Sequence, residues 1–139
     1  MIQQGLTTSF KVELLEGVHD LITDQLKIAL YTGFANLGYE TTGYTANNEV
    51  VGTGYTAGGE ILQNVTIQSQ GTVAYVNFDN VVWTGVVFTC RGALIYNVTK
   101  GNKSVAVLNF GADKTTTPSQ TFTINLPPDT ANAAIIRLT

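Results

Sequence analysis

Four places in this 139-residue chain hold residue types that could do chemistry. The stretch "VVGTGYTAGG" at 50–59 packs four glycines into ten uncharged residues. Loops of that kind can turn backbone N–H groups toward an anion, as in phosphate binding. His19, the single histidine, stands beside Asp20, an arrangement suited to acid–base work. Asp79 and Asp113, with Glu40, Glu49 and Glu60 as further members, could supply the carboxylate pair of a glycosidase. Cys90, the only cysteine, is followed by Arg91, and a thiol next to a cation can become a nucleophile.

Each candidate needs a context. A phosphate loop requires a strand before it, a helix after it and usually a Lys-Ser or Lys-Thr pair. Here "EILQNVTI" comes next, which alternates as a strand, and no such pair is present. The stretch therefore reads as a structural turn in a β-hairpin or bulge, with Gly54, Gly58 and Gly59 as its turn residues. Tyr55 would then lie over the sheet or a neighbouring subunit with its hydroxyl wet. His19 lacks a nucleophile and a second partner nearby, so it reads as a partly exposed helix residue. One histidine, one cysteine and ten dispersed carboxylates offer no ligand spacing for zinc or for a calcium loop. Nothing in the sequence sets a separation between the carboxylates. Cys90, near Phe88 and Leu94, reads as a buried, inert thiol. The expectation is no catalytic residue, no cofactor and no metal: a protein that is not an enzyme.

The aromatic residues suggest a different kind of work. Tyr31, Tyr39, Tyr44, Tyr55 and Trp83 could form a sugar-binding platform, although Trp83 in "NVVWTG" has the strand context of a core ring. Charged residues make up 12% of the chain, against about a quarter in ordinary soluble domains. A surface with so little charge is suited to being covered by neighbours. Tyr39, Tyr44 and Tyr55 are therefore candidates for protein–protein contact, since tyrosine gives a large contact area at low entropic cost. The net charge of −3 and seven scattered Lys and Arg residues leave no basic face for nucleic acid. No apolar run approaches the roughly 18 residues of a membrane span, and "MIQQGLTTSF" lacks the features of a secretory signal.

One helix and a series of strands must position these residues. "TTSFKVELLEGVHDLI" places Phe10, Leu14, Leu15, Val18 and Leu21 at helical spacing. It predicts a helix over about 8–21, capped by Thr8 or Ser9, with Gly17 weakening its middle by about 1 kcal/mol. From about residue 25 the period is two. "QLKIALYTG" predicts a strand buried on one face, and 34–49 a long ordered loop. "EILQNVTIQSQG", "TVAYVNFDNVVWTG", "KSVAVLNFG", "QTFTINLPP" and "NAAIIRLT" predict further strands, and "VVFTCRGALIYNVT" two short ones pivoting at Gly92. A polar, Thr-rich loop is expected at 112–119. Seven or eight strands with Gly and Asn punctuation predict one mainly β domain over 1–139, a jelly-roll-like β-sandwich with one N-terminal α-helix.

Several of these blocks taken together resemble a family of small tailed-bacteriophage virion structural proteins. They are "SFKVELLEGVHDL", "LKIALYTG", "GTGYTAGG", "RGALIYNVT", "VAVLNFGADK" and "NAAIIRLT", running from about residue 8 to the C-terminus. The resemblance implies a virion component made in the host cytoplasm, and attaches no catalytic residues to it. A compact, low-charge β-sandwich suits a capsid cement or decoration protein on the outer head surface. Its expected partners are the major capsid protein and further copies of itself in a small cyclic oligomer. A tail or neck role, as adaptor, tube-associated or fibre-base protein, is the alternative, and a carbohydrate-binding module a third reading.

Overall fold

The computed structural model describes residues 1–118, 120–124 and 135–138. The chain is mainly β, with ten strands and one short helix among the described residues, arranged in three antiparallel sheets. The strands are β1 (Gly5–Leu6), β2 (Leu26–Tyr31), β3 (Glu60–Ile61), β4 (Thr66–Gln70), β5 (Val73–Asn77), β6 (Val81–Thr84), β7 (Thr89–Asn97), β8 (Lys103–Thr115), β9 (Thr121–Ile124) and β10 (Ile136–Leu138). The largest sheet has the order β1-β8-β7-β2-β3, the next β10-β5-β4, and the smallest pairs β6 with β9.

The main core lies between the large sheet and the two small ones, a sandwich-like arrangement. Leu26, Ile28 and Leu30 of β2, Ala93 and Ile95 of β7, and Val105 of β8 face Val76, Val81, Trp83, Ile124 and Ile136 of the smaller sheets in one apolar cluster. Trp83 is thus a core ring, as its strand context suggested. The opposite face of the large sheet is covered as well. Ala29, Tyr31, Leu94, Tyr96 and Val107 pack there under Ile2, Ala35, Leu37 and Tyr44. A sheet buried on both faces selects near-continuous apolar strands, which is why "LKIALY" and "GALIY" alternate so weakly. The expectation that β2 is buried on one face is corrected by this second layer.

The helix, α1, spans Thr8–Leu15 and not 8–21. Its N-cap is Thr7, one residue before the expected pair, and the Thr7 side chain accepts a bond from Phe10 N. Gly17 ends the helix: it adopts φ +76°, its N–H bonds to Leu14 O, and Val18 N bonds to Glu13 O. These two bonds form a Schellman closure, which needs a left-handed residue at this point. The glycine taken as a weak middle is the stop. His19 and Leu21 lie beyond it in irregular chain, yet both are buried.

Other boundaries shift for local reasons. "EILQNVTIQSQG" divides into β3 and β4 around Asn64, which has φ +54°. "TVAYVNFDNVVWTG" divides into β5 and β6. β7 is one strand with a register shift between Cys90 and Gly92, so the pivot at Gly92 is an irregularity within it. β8 continues through Thr115, because Thr89 and Cys90 pair with Thr115 and Lys114 where a loop was expected. The expected stop of β9 at Pro127 and Pro128, and the first residues of "NAAIIRLT", lie outside the described residues.

Candidate functional site

The second layer over the large sheet contains the densest polar arrangement among the described residues. It is centred on Glu49, whose side chain is buried at the end of the 34–49 loop. Asn48 adopts φ +61° just before it, and Glu49 bridges Tyr31 at the end of β2. Val50 N then bonds to Leu30 O, fixing the loop end to the strand.

Three donors converge on the carboxylate. Tyr44 Oη donates to Oε1 at 2.5 Å, Tyr55 Oη donates to Oε2 at 2.5 Å, and Gly58 N donates to Oε2 at 2.8 Å. The second ring of contacts is equally connected. Tyr55 Oη accepts from Leu30 N, Tyr96 Oη donates to Gly58 O at 2.6 Å, and Tyr31 Oη donates to Thr45 O at 2.6 Å. The Tyr44 and Tyr96 rings stack with centroids 4.8 Å apart. Burial, then the nearby Glu49, raises the pKa of Tyr31, Tyr44 and Tyr55 well above the ordinary phenol range, and Tyr96 is pushed up to about 12. The phenols therefore stay protonated: Tyr44 and Tyr55 donate to the carboxylate, and Tyr31 and Tyr96 to main-chain carbonyls.

The glycine-rich stretch does cradle an anion, and the anion is the chain's own carboxylate. The chain runs from the Thr53–Val87 bridge through 54–59 into β3, which pairs with β2. It is a turn between two different partners, so the expected hairpin is corrected. Gly54, Gly58 and Gly59 take φ of +83°, +97° and +80°. Gly59 is also the tightest approach: a Cβ there would sit 1.8 Å from Ile28 O. The turn leads into a strand, so no helix N-terminus faces the cradle.

Tyr44 and Tyr55, expected as contact residues, are turned inward, and their hydroxyls are engaged by Glu49. Tyr39 alone of the three is exposed. The aromatic platform is likewise dispersed, since Tyr31 and Trp83 are buried. Glu49 was visible only as one of several carboxylates. The signal that could have found it is the four tyrosines among residues 31–55, a stretch with no Lys or Arg.

A second polar cluster surrounds His19, which is buried and not partly exposed as expected. Asn97 Nδ2 lies 2.9 Å from His19 Nδ1 and 2.8 Å from Asp24 Oδ2, so it donates to both. With Nδ1 accepting, the Nε2–H donates to Glu13 Oε1 at 3.0 Å. Lys103 and Lys100 lie 3.5 Å from Glu13 and 3.8 Å from Asp24, respectively. His19 clamps the end of α1 to the β7–β8 hairpin, with its ring tilted against Phe10.

The remaining candidates are placed apart. Asp113 pairs with Arg91 at 3.3 Å, and Asp79 accepts from Asn64. Glu60 and Asp79 line one shallow cleft of about 170 Å³, while Glu40 is exposed. Cys90 is buried, and burial pushes its thiol up to about 12. Among the described residues no three His, Cys, Asp or Glu side chains are grouped to hold a metal ion. No described helix is long and apolar enough to cross a membrane.

Compared with family models, curated proteins and solved structures, the chain matches none.

Proposed function

We propose that this protein is a bacteriophage virion structural protein, a cement or decoration protein that binds the outer head surface and stabilises the shell. The observation that carries the reading is the exposure of large apolar side chains on a surface poor in charge. Phe34 is 88% exposed and Val51 is 94% exposed. They belong to the same end of the molecule: Phe34 shares a cleft with Thr89, Arg91 and Asp113, and the Thr53–Val87 bridge brings the chain at Val51 alongside Thr89. An apolar end of this kind is stabilised when a partner covers it. The chain's most chemistry-like groups, Glu49, His19 and Asp113, are meanwhile engaged by other residues of the fold.

The mechanism is mass action. A protein that binds only the assembled shell stabilises it by an amount that grows with concentration over dissociation constant. The blocks on which the resemblance to virion proteins was read fall on α1, β2, the glycine-rich turn, β7, β8 and β10.

The test is the copy number in purified particles, by quantitative mass spectrometry against the major capsid protein. A ratio comparable to that of the capsid protein supports cement on the head lattice. A small fraction of that ratio moves the protein to the tail or neck, and absence from the particle overturns the virion reading. In a head-binding assay Phe34→Asp with Val51→Asp is expected to abolish attachment and leave the isolated fold unchanged.

A further inference from the structure

Residues 36–41, "NLGYET", form a polar cleft with the N-terminal segment. Leu37 is the anchor. It is buried in the second layer, bridges Ile2, accepts from Gln3 N at 2.8 Å and donates to Met1 O at 3.0 Å. Beyond it the chain turns: Thr41 N donates to Gly38 O at 3.0 Å, and Gly38 N to Thr41 Oγ1 at 2.9 Å. Tyr39 and Glu40 hold the two central positions of this β-turn, and both are exposed. Tyr39 O accepts from Thr8 N at 2.9 Å and Thr41 O from Ser104 Oγ at 2.7 Å, so the turn is fixed from both sides.

Two glycines then place the side chains. A Cβ on Gly38 would sit 2.7 Å from Gln3 Oε1, and one on Gly5 would sit 3.0 Å from the Tyr39 ring. Each segment thus lays a side chain on the other's glycine, Gln3 on Gly38 and Tyr39 on Gly5. Tyr39 still keeps 51% of its surface exposed. With Thr8, Asn36 and Glu40, these two side chains line a cleft of about 510 Å³, within the roughly 300–1,000 Å³ of small-ligand sites. Among the described residues no hydrogen bond or ion pair engages the side chains of these five. In this they differ from Tyr44 and Tyr55, whose hydroxyls are held by Glu49.

We propose that this cleft binds a neutral saccharide, with the Tyr39 ring against a C–H face of the sugar and Gln3, Asn36 and Glu40 on its hydroxyls. Each element of the cleft matches that chemistry. An aromatic face is electron-rich and attracts polarised C–H groups. Two carboxamides both donate and accept, and a carboxylate accepts, which suits neighbouring hydroxyls that do both. No Lys or Arg lines the cleft to hold a phosphate or an acidic sugar. A simple cation would use Glu40 and the ring but would leave the carboxamide donors idle. Glu40 is the one carboxylate among the lining residues, so the cleft lacks the acid–base pair of a glycosidase and its role is binding. Of the aromatic platform expected from the sequence, Tyr39 is the member that the fold leaves in position. The proposal does not rest on the virion reading, because it is tested on the isolated protein.

The experiment titrates the protein, labelled with nitrogen-15, with glucose, galactose, mannose, N-acetylglucosamine, cellobiose and lactose at millimolar concentration, and follows amide shifts by NMR. At least one of these sugars is expected to shift the amides of Gln3 and of Gly38, Tyr39, Glu40 and Thr41, and to leave those of the Glu49 and His19 clusters in place. Tyr39→Ala and, separately, Gln3→Ala with Asn36→Ala are each expected to weaken that binding about tenfold, as loss of a contact of about 1.4 kcal/mol does. Both are surface changes and should keep the native spectrum. If Tyr39→Ala does not fold, the Gln3 and Asn36 variant makes the same comparison. Silence of the cleft amides toward all six sugars overturns the proposal, as do shifts that persist undiminished in the variants. Choline and glucuronate are titrated alongside. A response of the cleft to either one and to none of the neutral sugars overturns the proposal too, and assigns the cleft to a charged ligand.

Discussion

The Tyr55 hydroxyl links Glu49 to Leu30: it donates to Glu49 Oε2 at 2.5 Å and accepts from Leu30 N at 2.9 Å. One side chain thereby satisfies a buried carboxylate oxygen and a main-chain N–H of β2. A loop end, a glycine-rich turn and a strand of the large sheet meet at this oxygen. Because charge-assisted bonds contribute more than neutral ones, this junction is the polar anchor of the second layer.

Tyr55→Phe is expected to lower stability by about 2–3 kcal/mol, since it removes a bond to a charged group and leaves Leu30 N unpaired. Glu49→Gln is expected to cost a similar amount, because a carboxamide cannot accept from all three donors with both of its ends. In urea titrations the double variant should lose less than the sum of the two. Additive losses would show that the two groups are not coupled.

The same cluster predicts an alkaline transition. Tyr31, Tyr44, Tyr55 and Tyr96 all have folded-state pKa values raised above the ordinary phenol value, Tyr96 to about 12. The native state thus favours the neutral phenol. That contribution is complete below pH of about 10, where unfolded tyrosine is neutral too. It declines as pH rises further and is lost through the folded values. Absorbance of phenolate, followed with far-ultraviolet circular dichroism, should show these tyrosines ionising together with loss of fold. Their full ionisation in a protein that keeps its native spectrum would contradict the burial argument.

Two glycines with nearly the same φ make a controlled comparison. Gly17 at +76° has open space where a Cβ would go, whereas at Gly59, at +80°, the Cβ would meet Ile28 O. Gly17→Ala should cost about 1–2 kcal/mol, from backbone strain alone. Gly59→Ala must in addition move β2 or the turn and should cost about 1–3 kcal/mol more. Gly59→Val is expected not to fold. Equal losses for the two alanine variants in thermal melts would rule out the close approach.

His19→Ala is expected to destabilise the protein by about 2–3 kcal/mol, through lost packing on Phe10 and unpaired groups on Asn97 and Glu13. Asn97→Asp should be as damaging, because it sets a carboxylate against Asp24. Denaturant midpoints would measure both. A His19→Ala midpoint equal to wild type would restore the view of His19 as a bystander.

β1 and the order of the strands in the sheets were not legible in the sequence. The β class and the position of most strands along the chain were, because the two-residue period and the glycine punctuation are local properties of the chain. So was the turn at Gly54, Gly58 and Gly59, whose need for positive φ is a property of single residues. The burial of Cys90 was legible too, from the apolar residues around it. The burial of Tyr44, Tyr55 and His19 was not. Tyrosine and histidine each have an apolar body and a polar tip, so their types suit an exposed contact and a satisfied interior equally well. Only the crossing of separate segments decided between them. Glu49 meets Tyr96 through Gly58, and His19 meets Asn97 across 78 positions of sequence. The reach of the helix was legible in principle at Gly17, but helical spacing in Val18 and Leu21 imitated its continuation. Leu21 reaches the core because the Schellman turn redirects the chain, and that direction exists only in three dimensions.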